Sequence, residues 1–156
     1  MNSKLKEKIL KDLEFSFKNR NISRVETLRM LMSAVHNKEI EKKGKLNISD
    51  LSEEEVLEAV VKEAKKRKEA IDFYIKGGRN DLAEKEKGEL KILEEYLPAQ
   101  MGEAEVRKVV KEILNSLGGI RDFGGAMSEV MKKLKGQADA KIISSVVKEE
   151  ISDAGE

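Results

Sequence analysis

Apolar side chains recur along this chain at three- and four-residue steps, the spacing that lines one face of an α-helix. From Lys4 to Lys18, Leu5, Ile9, Leu13 and Phe17 fall at four-residue steps with Leu10 beside them, and Asn19-Arg20-Asn21 breaks the run. Ser23-Arg24-Val25-Glu26 reads as a capping box, in which a hydroxyl and a carboxylate each satisfy an orphan backbone donor. It predicts a helix with Val25, Leu28, Leu31, Met32 and Val35 on one face, stopping near Gly44. After a polar connector at 45–51, a second box, Ser52-Glu53-Glu54-Glu55, opens a helix that runs to Lys76 and is closed by Gly77-Gly78. Asn80 or Asp81 caps the next, Leu82 to Tyr96, striped by Leu90, Leu93 and Leu97. Pro98 ends it, because proline drives the preceding residue out of helical geometry.

Beyond Pro98 the predicted helices shorten and glycine becomes denser. Glu103 to Leu117, Asp122 to Lys135 and Asp139 to Ile151 each carry an apolar stripe. A piece of this size makes a marginal core alone, so the three stripes are expected to meet in one bundle. The expected fold is all-α, with a helical N-terminal domain at 1–97, a linker at 98–102 and a three-helix C-terminal domain at 103–153. No internal repeat and no strand-like alternation of useful length appear.

Composition fits long solvated helices: of 156 residues, 39% are apolar and 39% charged, against about 25% charged in ordinary proteins. Lys+Arg 31 against Asp+Glu 30 leaves +1, so no global field draws the chain to nucleic acid or membrane, and any basic surface must be local. The absence of cysteine excludes disulfides, thiolate metal sites and thiol nucleophiles, and a single histidine excludes a multi-histidine metal site. No metal and no cofactor are expected. No run approaches the ~20 apolar residues of a membrane span. The N-terminal Met-Asn-Ser-Lys-Leu-Lys-Glu-Lys lacks the apolar run of a signal peptide, so a cytoplasmic protein is expected.

Candidate chemistry is sparse. His36 has Ser33 on its own helix, but adjacency does not make a nucleophile–base pair, and a helix-surface histidine is the simpler reading. Gly77-Gly78-Arg79 follows a helix rather than a strand, which favours a C-cap over a phosphate loop. No catalytic site is identified. Two basic clusters remain. Lys62, Lys65, Lys66, Arg67 and Lys68 read as a solvated face, because Glu58–Lys62, Glu63–Arg67, Lys65–Glu69 and Lys68–Asp72 all sit at i,i+4. Arg121, Lys132, Lys133, Lys135 and Lys141 belong to a stretch, 121–148, with six basic and three acidic residues, and are the candidate phosphate-binding residues. Lysines in the last turn of one helix beside the amide-rich start of the next make a workable anion site. Against it, Asp139 is placed to cap that start, and lysines near a helix C-terminus need no ligand to explain them.

Leu28 to Lys42, Lys66 to Ile71, Gly78 to Glu86, Glu89 to Met101 and Leu134 to Lys141 together resemble the YqeY-like (GatB/YqeY) family, in the family's order and over nearly the whole chain. The resemblance implies an all-helical protein similar to the tail of the GatB component of the glutamine-dependent aspartyl/glutamyl-tRNA amidotransferase. There the tail holds tRNA and other parts perform the chemistry, so the family's label of carbon–nitrogen ligase with glutamine as amide donor is inherited by association. Ser128, Lys132, Gln137 and Ala140 stand where the family pattern has glycine, proline, a basic residue and glycine, moving charge one turn earlier. The expectation is a tRNA-associated module that reads shape and backbone, in keeping with 4% aromatics. The alternative is an adaptor for an aminoacyl-tRNA synthetase or amidotransferase without RNA contact, with Tyr74, Ile75, Ile92 and Tyr96 as candidates for an exposed apolar patch.

Overall fold

The computed structural model describes residues 3–118 and 122–153, and the protein is all-α. Its helices are α1 (Lys4–Lys18), α2 (Ile22–Leu46), α3 (Glu53–Lys76), α4 (Asn80–Glu94), α5 (Glu103–Ser116), α6 (Phe123–Leu134) and α7 (Ala140–Asp153). The chain divides into two compact units, Met1–Leu97 and Pro98–Glu156.

Local capping chemistry sets most helix starts. Ser52 Oγ accepts from Glu55 N at 3.2 Å while Glu55 Oε2 accepts from Ser52 N at 2.7 Å, so the second capping box forms as read. The first does not. Arg20 adopts a left-handed backbone (φ 56°), and the next residue, Asn21, becomes the cap, its side chain accepting from Arg24 N at 3.3 Å. Asparagine there is as good a cap as serine, and Ser23 is drawn inside the helix. Between α3 and α4, Gly78 takes the left-handed conformation (φ 70°) that lets Arg79 N reach Tyr74 O at 2.8 Å, closing α3. α4 then begins at Asn80 without a side-chain cap, and Asp81 instead accepts a forked pair from Arg79.

In the first unit Ile9, Leu28, Leu31, Val35, Val56, Val60 and Leu93 are at most 1% exposed and form the centre of one core. Each such side chain contributes about 1.5–3 kcal/mol by leaving water. α2 and α3 run antiparallel. Their register is marked by Lys42–Glu55 (2.6 Å), Lys38–Glu58 (2.6 Å) and, further along, Arg67 Nη2 to Met30 Sδ (3.2 Å). Tyr96 OH donates to Asp12 Oδ2 at 2.6 Å and accepts from Arg24 Nη2 at 3.2 Å, while Arg24 Nη1 meets Glu95 at 2.6 Å. Burial, then the bond to Asp12, push the Tyr96 phenol above its ordinary range. Tyr96, a candidate for an exposed patch, is thus buried at 5% exposure, and Ile92 packs against the same core.

The second unit packs α5, α6 and α7 around Val106, Val110, Val130, Leu134, Ile143 and Val147. Arg107 reaches from α5 to Glu149 (2.6 Å) and Glu150 (2.8 Å) of α7, and its neighbouring carboxylates raise its pKa further. Within 98–102, read as a linker, two residues hydrogen-bond to this unit: Met101 N donates to Gln137 O at 2.8 Å, and Gln100 Nε2 to Gly136 O at 3.0 Å.

Candidate nucleic-acid interface

The lysine-rich turn between α6 and α7 is anchored from below. Leu134, Ala138 and Ile143 are buried, so the backbone on both sides of Lys135-Gly136-Gln137 is fixed to the core. Gly136 is left-handed (φ 79°) and buried, a combination that favours glycine. Gln137 caps α6 twice, its backbone N donating to Leu134 O and its Nε2 to Lys133 O, both at 2.9 Å. Where the family pattern has a basic side chain, this one is spent on a helix end.

Lys132, Lys133, Lys135 and Lys141 are all exposed around this turn, two at the end of α6, one within the turn and one in the first turn of α7. The connectivity alone puts them at the same end of the unit. They are not all uncommitted: Lys132 Nζ pairs with Glu129 at 2.8 Å, and Lys135 and Lys141 also interact within the protein. Arg121 lies outside the described residues. The start of α7 is not an open anion site, because Asp139 Oδ1 accepts from Lys141 N at 2.8 Å and fills that position with its own charge. The exposed ammonium groups, rather than the helix terminus, are therefore what an anion could meet.

In the other cluster Lys62, Lys65 and Lys66 are exposed, in keeping with a solvated face, but one member departs from it. Arg67 is not on a solvated face: its side chain is 12% exposed, and Nη1 lies 3.1 Å from Glu86 and 3.0 Å from Glu89 of α4. Glu63 is held by Lys66 at 3.1 Å, and Glu58 by Lys38. For Arg67 the i,i+4 rule chose the wrong partner, Glu63, because α4 offered carboxylates in a drier place. Burial makes that choice. The α2–α3 register also carries Arg20, Arg24 and Arg29 towards the basic end of α3, an enrichment that sequence reasoning missed. Its signal was the two basic stretches themselves, but their meeting depends on a register that no local pattern contains.

His36 is a surface residue, 68% exposed, with Nδ1 3.4 Å from Glu39, and Ser33 Oγ donates to Arg29 O rather than to any imidazole. Among the described residues no cluster of His, Asp and Glu could hold a metal ion, and no helix is long and apolar enough to cross a membrane.

A family model described as Yqey-like protein matches residues 6–151. The chain belongs to the YqeY-like family. Curated relatives carry the name Altered inheritance of mitochondria protein 41, mitochondrial. The one from Lachancea thermotolerans is 34% identical over 69% of this chain and 56% of its own length. That from Kluyveromyces lactis is 38% identical over 68% and 56%, and that from Pyrenophora tritici-repentis 29% identical over 88% and 76%. The chain thus spans little more than half of the first two. These names overturn the cytoplasmic expectation, since the relatives of this YqeY-like chain are mitochondrial proteins. The sequence tests behind that expectation looked for a secretory apolar run and a bilayer span, and neither separates cytoplasm from mitochondrion.

Proposed function

We propose that this YqeY-like chain is a tRNA-associated binding module that holds backbone phosphates of a folded RNA with Lys132, Lys133, Lys135 and Lys141. The observation that carries the reading is the gathering of four exposed lysines around one anchored turn. The resemblance to the tRNA-holding tail of the amidotransferase supports the class of partner. The carbon–nitrogen ligase label is not part of the reading, because a shared fold does not carry a chemistry with it. For location we take mitochondria, the compartment named for the relatives.

Binding of labelled tRNA, followed by fluorescence anisotropy across a salt series, tests the proposal. Four neutralised phosphates give a log–log salt slope of about −3, or about 60-fold weaker binding between 50 and 200 mM salt. The triple variant Lys132→Ala, Lys133→Ala, Lys135→Ala should lose most of that slope. Unchanged affinity and slope in the triple variant would remove the site. The adaptor reading finds one favourable observation, the 49% exposure of Ile75, and requires a synthetase or amidotransferase to co-purify after nuclease treatment.

A further inference from the structure

All four phenylalanines of the chain are exposed: Phe15 at 70%, Phe17 at 64%, Phe73 at 74% and Phe123 at 43%. Phenylalanine is among the residues most often buried, so this placement is unusual. Three of the four lie towards one end of the first unit. Phe15 and Phe17 flank the buried Ser16 near the end of α1, and Ile22 (71% exposed) opens α2. The antiparallel register through Met30 and Arg67 carries the last turn of α3, with Phe73 and Ile75, towards that same start of α2.

The charge there is equally uneven. Residues 11–30 and 65–79 hold 11 basic and 5 acidic side chains. Arg24, Arg67, Lys66, Lys18 and Arg79 are engaged by carboxylates. Lys11, Arg20, Arg29, Lys65 and Lys76 are exposed and form no ion pair with a described residue. The Arg29 guanidinium lies over the Phe17 ring, 5.9 Å from its centroid. A second copy of this surface would set basic side chains against basic ones. A polyanion that also presents flat apolar groups satisfies both features at once, and unpaired nucleotides are that chemistry.

We propose that this end of the first unit is a second RNA-contact surface, at which Phe15, Phe17 and Phe73 stack unpaired bases while Lys11, Arg20, Arg29, Lys65 and Lys76 track the backbone. The inference rests on the RNA reading above for the class of partner, but on none of the same residues. It also changes what the low aromatic content means: the aromatics are few, yet the phenylalanines are outside.

The test is binding of a labelled single-stranded oligoadenylate by the full chain, with circular dichroism to check that each variant folds. Phe15→Ala, Phe17→Ala and Phe73→Ala, combined, should weaken binding about tenfold or more with the salt slope unchanged. Lys65→Gln with Lys76→Gln should instead reduce the slope by about 1.4. A chain that fails to bind the single strand, or phenylalanine variants that bind it normally, overturns the proposal. So does a chain that sediments as a dimer dissociated by the same substitutions without binding the oligonucleotide, which assigns the surface to a second copy. If tRNA affinity survives loss of the turn lysines but oligonucleotide binding needs the phenylalanines, the turn reading fails and this one stands.

Discussion

Arg67 and Lys132 both come from lysine-rich stretches, yet Arg67 is 12% exposed between Glu86 and Glu89 whereas Lys132 is 69% exposed beside Glu129. The difference follows from the side chains and from what lies across from them. A guanidinium is weakly hydrated and presents several fixed donors, so it tolerates a dry seam between α3 and α4 where two carboxylates converge. An ammonium on a flexible stem keeps its water, and the Lys132 pair with Glu129 of its own helix leaves it in solvent. The first charge belongs to the fold. The second stays in solvent. Burial of a cation, rather than its mere presence, thus separates a charge spent on the fold, Arg67, from one left in solvent, Lys132.

The largest expected effect breaks that comparison directly. Arg67→Ala leaves Glu86 and Glu89 facing each other in a seam with little water, and Glu89 Oε2 already lacks a hydrogen-bond partner. Removing one partner of such a buried group costs about 3–5 kcal/mol. Urea unfolding should show a loss of that order, while Lys132→Ala stays within ~0.5 kcal/mol of the unaltered chain because its pair is solvent-screened. Equal losses at the two positions would mean that exposure does not sort these clusters.

A middle-sized effect is expected at the turn that presents the lysines. Gly136→Ala forces a Cβ into a left-handed backbone (φ 79°) at a buried position, a strain of about 1–2 kcal/mol. Thermal unfolding should report the loss. If the turn merely displays its lysines, tRNA binding by the folded fraction should survive, and if the backbone path matters, affinity should fall with stability. Either result sharpens the contrast between a charge fixed by burial and one positioned only by its backbone.

What the sequence revealed and what it hid divides along distance. α1 ends where its stripe ends, and Ser52 with Glu55 forms its box, because every participant lies within four residues. The box at Ser23 failed for an equally local reason, since Asn21 outcompeted it after the left-handed Arg20. By contrast, the placements of Arg67 against α4, Arg24 against Tyr96 and Gln100 against Gly136 join residues far apart in sequence. These contacts follow from how helices pack, which apolar spacing constrains only to a face and not to a register. The candidate site was legible for the same reason: its lysines are chain neighbours, and the Asp139 cap that closes the start of α7 lies two residues from the amide it binds and was read from the sequence.

Glu55 joins the two kinds of interaction, and its effect should be the smallest and the most diagnostic. The Lys42 ammonium, then the Ser52 backbone amide, hold its carboxyl below the ordinary value of 4.5. A carboxyl whose folded-state pKa is depressed contributes stability in full above its unfolded-state pKa and loses that contribution as pH falls through the folded-state value. Glu55→Gln should therefore unfold more easily than the unaltered chain at neutral pH. The gap should narrow below about pH 4.5 and close once the native carboxyl is itself protonated. Adding Lys42→Met to the glutamine variant tests which interaction dominates. If Lys42→Met alone already removes the pH-dependent gap, the contact between α2 and α3 outweighs the capping box. A gap that survives in the Lys42→Met background belongs to the cap, and the local pattern then carries energy as well as legibility.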